Sequence, residues 1–162
     1  HLFSSAASDV YKRQTIYILM NLGLFSCLLM LKRDNNYYEK IDDLSGLSKN
    51  HPMLALSLLI ILFSLAGIPP LAGFFAKFYV FKAVIEQSMY FLAIVGLLST
   101  VVAAFYYLRL IKIMYFDEQK EKYDTDHGFW LKFSLTASTL LILIYFIFPS
   151  QLIEVVSRIN II

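Results

Sequence analysis

Residues 15–31 run apolar without a charge, a length at the lower limit for a helix that crosses a bilayer. A polar loop follows at residues 32–51, where Asp34, Glu39, Asp42 and Asp43 alternate with Lys32, Arg33, Lys40 and Lys49. Pro52 then opens a second apolar stretch that reaches residue 85. Proline suits the first turn of a helix, where its missing N–H is not needed. As one straight helix this stretch would be about 50 Å long at about 1.5 Å per residue, against a hydrocarbon core about 30 Å thick. Pro69 and Pro70 lie in its middle and cannot donate helical bonds to the carbonyls of Leu65 and Ala66. Gly67 and Gly73 flank them and let the chain change direction. The pattern therefore predicts two half-helices, 53–68 and 72–86, joined by a short non-helical piece.

After a polar turn around residue 87, a third helix is predicted over 89–114 and a fourth over 129–148, ending at Pro149. Between them, 115–128 is a charged loop. The tail 150–162 places Leu152, Val155, Val156 and Ile159 at helical spacing, suited to the membrane interface or to a frayed end. The fold class expected is all-α integral membrane, a bundle of about four transmembrane helices with the second discontinuous.

Composition agrees. The chain is 59% hydrophobic and 16% charged, whereas soluble domains carry about 25% charged residues. A formal net charge of +2 is too small to suggest nucleic acid as a partner. Cys27 is the single cysteine, which excludes an internal disulfide, and the three histidines are far apart, so no metal site is expected. With no phosphate loop, nucleophile triad or haem motif, the chain is expected to bind no cofactor itself. Residues 1–14 differ from the rest: they resemble a translated sequencing-adapter read-through and lack the core of a signal peptide. They are read as a non-native segment, leaving 15–162 as the membrane domain.

Lysine and arginine set the expected orientation. The loops 32–51 and 115–128, with Arg109, Lys112 and Lys132, hold nine of these residues, while Lys82 and Arg158 lie at the other face. The bias assigns the rich side to the cytoplasm, with the C-terminus outward. Tyr90, Tyr106, Tyr107, Tyr115, Phe129 and Trp130 fall near predicted helix ends, as an aromatic belt does.

Lys77 is the residue most in conflict with its surroundings. It lies about nine residues of helix, roughly 13 Å, from the end of its half-helix, near the middle of the hydrocarbon layer and beyond the reach of a snorkelling stem. A charge there costs a few kcal/mol on insertion scales, and ionisable groups at that depth mark ion or proton paths. The plain alternative is a lysine that only satisfies a freed carbonyl near Leu65 or Ala66. The break at Gly67, Pro69, Pro70 and Gly73 can hold water and expose carbonyls to an ammonium. Ser64, Ser99, Thr100, Tyr106 and Tyr107 could carry a hydrogen-bonded path, with Ser64, Thr100 and Tyr106 the leading candidates; each otherwise serves helix packing or belt placement. Lys82 reads as a snorkelling residue with Glu86 as an intrahelical partner, Arg109 and Lys112 as headgroup anchors, and Asp42, Asp43, His51 and His127 as solvated loop residues.

The runs Asp42-Asp-Leu-Ser-Gly-Leu-Ser-Lys-Asn-His-Pro52 and Ser64-Leu-Ala-Gly-Ile-Pro-Pro-Leu-Ala-Gly-Phe-Phe-Ala-Lys-Phe-Tyr-Val80, with Ala104-Phe-Tyr-Tyr-Leu-Arg109, resemble the subunit N family of NADH-quinone oxidoreductase, respiratory complex I. The likeness covers about residues 15–162. It implies the last four spans of an antiporter-like subunit built from two inverted five-helix repeats, each with a discontinuous helix in a proton path. By resemblance Lys77 matches the lysine of the second repeat's broken helix. The related subunit M carries glutamate there; subunit L has lysine, but the Asp-Asp-Leu-Ser-Gly-Leu loop fits N better. The first repeat is absent, so the chain alone is expected to be inactive.

The function expected is proton translocation coupled to quinone reduction in the bacterial inner membrane, beside other membrane subunits of complex I, in the lipid bilayer and without nucleic acid. The alternatives are a subunit of a multisubunit cation/proton antiporter without redox activity, and a scaffold that only packs helices.

Overall fold

The computed structural model describes residues 2–33, 36–37, 40–118 and 128–147. Helix α1 spans Leu2–Met30 and continues unbroken through the segment set apart above. A two-rung antiparallel hairpin follows, β1 (Lys32–Arg33) on β2 (Asn36–Tyr37), then a 3₁₀ turn over Ile41–Leu44 and the single-turn α2, Leu47–Asn50. The apolar helices α3 (Pro52–Ala66), α4 (Ala72–Glu86), α5 (Tyr90–Phe116) and α6 (Phe129–Ile147) complete the order. Among the described residues, the regular elements are helical apart from the hairpin. The tail 150–162, most of the 115–128 loop and His127 fall outside the described residues.

Residues 40–51 are more ordered than the loop expected for them, because they cover the end of α5. Leu44 and Leu47 are buried in the same apolar cluster as Ile113 and Met114. Between them Gly46 adopts φ 66, and its N–H donates to the Ile113 carbonyl at 3.2 Å. A carbonyl in the last turn of α5, which the helix itself leaves unpartnered, is thus satisfied from outside.

α3 is the central element and touches α1, α2, α4, α5 and α6. Its Leu58, Ile61 and Leu62 are almost wholly buried, in one cluster with Cys27 of α1, Leu31 just after it and Met114 of α5. α1 also packs along α6, where Ser26 Oγ donates to Ser134 Oγ at 2.8 Å. α5 carries its apolar surface outward, with Phe91 at 82% and Phe105 at 65% exposure. Among the described residues, only α5 is both long and apolar enough to cross a bilayer alone; the apolar stretches Gln14–Met30, Pro52–Ala66 and Phe129–Tyr145 are shorter.

Candidate functional site

The long apolar stretch breaks where the proline pair requires it. α3 stops at Ala66, α4 resumes at Ala72, and the Pro69–Pro70 peptide between them is cis. A helix end leaves four carbonyls without intrahelical donors. Two are taken locally: Gly67, in the left-handed region at φ 81, donates its N–H to Ser64 O at 3.0 Å, and Ile68 N–H donates to Phe63 O at 3.1 Å. This is the paired closure that glycine permits after a last helical turn.

The other two carbonyls receive Lys77. Its Nζ donates to Leu65 O at 2.9 Å and to Ala66 O at 3.2 Å. These are the acceptors that Pro69 and Pro70 cannot serve. Helical side chains lean toward their own N-terminus, so a residue in the second turn of α4 points back into the break. The negative end of the α3 dipole favours a cation at that point. Gly67 keeps the route open: a Cβ there would stand 3.0 Å from Lys77 Cδ and 3.3 Å from Nζ.

The start of α4 is seated closely on the last turn of α3. A Cβ on Gly73 would lie 1.8 Å from the Ser64 carbonyl oxygen, so only glycine fits. The Gly73 N–H donates to Ser64 Oγ at 3.1 Å, and that hydroxyl donates in turn to Met20 Sδ of α1 at 3.1 Å.

Lys77 is half-buried beside a cavity of about 470 Å³ between α1, α3, α4 and α5. Gln14, Tyr17, Ser64 and Tyr107 supply its polar lining together with Lys77. Of the residues singled out from the sequence, Gly73, Ser64, Lys77 and Tyr107 meet at this cavity, and Gly67 packs on the Lys77 stem. Thr100 and Tyr106 do not line it. Thr100 Oγ1 donates to Gly96 O on its own helix at 2.9 Å, and Tyr106 is 57% exposed. Tyr107, one position on, faces the cavity instead. Sequence reasoning had no means of finding Met20, whose contact with Ser64 joins two separate helices. No group of three or more metal-ligating side chains occurs among the described residues.

A helix interrupted at mid-length, with an ammonium over its free carbonyls and a cavity alongside, is the architecture of membrane transport subunits with discontinuous helices. The chain belongs to the family described as NADH:quinone oxidoreductase/Mrp antiporter, transmembrane, whose pattern matches residues 4–103. It is similar to NADH-quinone oxidoreductase subunit N of Pelagibacter ubique, at 80% identity over 96% of this chain and 33% of that protein. It is also similar to the subunits N of Parvibaculum lavamentivorans, at 50% identity over 85% of this chain and 29% of that protein, and of Rhodospirillum rubrum, at 47% over 86% and 28%. The chain thus spans about a third of the length of the curated relatives it matches. A chain in the solved structure of respiratory complex I from Thermus thermophilus with bound aureothin shares the fold, with a TM-score of 0.77. That chain is 24% identical, and the match covers 91% of this chain and 34% of that one. The resemblance drawn from the 42–52 and 64–80 runs is borne out, and membership of a transmembrane family agrees with the composition.

Proposed function

We propose that this chain is the C-terminal part of an antiporter-like subunit that translocates protons in NADH-quinone oxidoreductase, coupling quinone reduction to pumping. In this reading it passes through the bacterial inner membrane about four times, with the α3–α4 pair as the discontinuous span. The charge-rich loops face the cytoplasm, and the chain sits in lipid beside other membrane subunits of complex I. Lys77 is the protonatable relay, and the break at Gly67, Pro69, Pro70 and Gly73 gives it hydrated access. The observation that carries the proposal is the Lys77 ammonium bound to two helix-end carbonyls beside a cavity. Redox chemistry belongs to other subunits and drives the relay electrostatically, so one third of the subunit is inactive alone.

The test is Lys77→Ala in the full-length subunit within the assembled complex. In inverted membrane vesicles, NADH oxidation should persist while proton pumping falls; unchanged pumping rejects the relay. The family description also names Mrp antiporters, which keeps redox-free cation exchange as the second reading. Relatives named as subunit N, at 47% to 80% identity, favour the first. Co-purification with flavin and iron–sulfur subunits supports the first reading, and sodium-dependent exchange without them the second. A scaffold role would leave every Lys77 variant fully active. The division proposed at residue 14 is tested by the upstream coding sequence, where a foreign leader gives way to further membrane sequence and a native one is recovered unchanged.

A further inference from the structure

We infer that Ser64 is a positioning residue, a clamp across the helix break that sets where Lys77 stands. The inference rests on the relay role proposed for Lys77 and adds to it the residue that fixes its geometry. Ser64 is fully buried, at 0% exposure. Its hydroxyl oxygen accepts the Gly73 N–H, one of the first-turn groups of α4 that have no helical partner. The residue that opens α4, Leu71, offers no side-chain cap. Ser64 therefore does from the preceding helix what a capping serine does from its own. The hydroxyl proton is engaged by Met20 Sδ, which turns the oxygen toward Gly73 and ties α1 to the same point.

Seating Gly73 on Ser64 fixes Lys77. Residues four apart lie one above the other on a helix face, so moving Gly73 moves the lysine stem relative to Leu65 and Ala66. Both ends of the clamp are tight: no Cβ fits at Gly73, and one at Gly67 would touch the Lys77 stem. Among the described residues, the hydrogen bonds of the Ser64 hydroxyl go to Gly73 and Met20 and not to Lys77. That geometry suits holding rather than passing a proton. It replaces the path role considered for Ser64 from sequence with a mechanical one.

The experiment measures proton pumping across pH in inverted vesicles carrying the whole complex. Its readout is the part of pumping that Lys77→Ala removes. Ser64→Ala should lower that part by roughly tenfold, the size expected when one buried donor loses its acceptor, and should shift its pH dependence. Met20→Leu, which removes the acceptor that turns the hydroxyl, should shift the profile the same way by a smaller amount, and the double variant of Met20→Leu with Ser64→Ala should match Ser64→Ala alone. Ser64→Thr, which keeps the hydroxyl, should retain the parental profile. A parental profile in Ser64→Ala, additive losses in the double variant, or Ser64→Thr behaving like Ser64→Ala would each overturn the clamp. If Ser64→Ala fails to assemble, Ser64→Cys keeps the volume with a weaker acceptor. It should show the same shift, smaller, and a parental profile there also overturns the inference. Normal Ser64→Ala pumping beside a defective Lys77→Ala rejects the clamp alone. A fully active Lys77→Ala removes the relay and the clamp together.

Discussion

Two lysines on α4, five positions apart, meet opposite surroundings. Lys77 holds two backbone carbonyls inside the break, whereas Lys82 is 58% exposed and pairs loosely with Glu86 at 3.8 Å. An exposed pair one turn apart contributes about 0.3–0.5 kcal/mol. Lys82→Ala should therefore leave both the denaturation midpoint in detergent and proton pumping close to the parent, while Lys77→Ala loses pumping. Gly67→Ala should cost about 1–2 kcal/mol for the left-handed backbone alone. Its new methyl should also push the Lys77 stem off Leu65 and Ala66, so the unfolding midpoint and pumping fall together. The partners of Lys77 were legible because proline removes the donor to the fourth residue upstream; residues 69 and 70 name 65 and 66 directly. The choice of Tyr107 over Tyr106 was not legible. α5 is apolar around its whole circumference, so no periodicity marks which face meets the cavity.

At the scale of elements, the seam where α1, α3 and α6 meet depends on one small residue. A Cβ on Gly23 would lie 2.8 Å from Ile61 Cδ1 and 2.9 Å from Ser138 Cβ. Gly23→Val should thus wedge three helices apart and cost about 1–3 kcal/mol as an overpacked core does, read as a lower denaturation midpoint of the subunit in detergent. Around the break, helix limits were legible to within a turn: half-helices expected at 53–68 and 72–86 are Pro52–Ala66 and Ala72–Glu86, whereas α1 starts at Leu2, well before the apolar run that opens at residue 15. Proline and glycine punctuate the chain whatever surrounds them. The order within residues 40–51 was hidden because it comes from long-range contact. The Gly46 donor to Ile113 and the burial of Leu44 and Leu47 exist only once α5 is in place.

For the whole molecule, the outward face of α5 decides behaviour in solution. Phe91, Leu98, Val101, Val102 and Phe105 are each more than half exposed. A contiguous apolar surface of this kind requires lipid or another protein surface. The isolated chain should therefore associate into large particles in aqueous buffer and stay monodisperse in detergent micelles, a contrast that light scattering measures. Orientation can be read the same way. Ser88 sits in the turn after α4 and Lys49 in α2. In sealed cells, an impermeant maleimide should label Ser88→Cys but not Lys49→Cys, with native Cys27 silent in its buried position. The reverse pattern would invert the assigned topology. The membrane class was legible from composition, and the break from two prolines. How α1 closes the cavity was not, since no local spacing ties Met20 to Ser64.

The hydrogen count at the Lys77 nitrogen has a further consequence. A protonated amine carries three N–H bonds, two of which lie on Leu65 O and Ala66 O. When the third hydrogen departs, the neutral amine still has two to give, and both oxygens stay partnered. The stub of α3 is then equally well terminated with either charge on the nitrogen, and the lone pair exposed by the departure faces away from the main chain. Loading and unloading at this position need not unravel the scaffold that holds it.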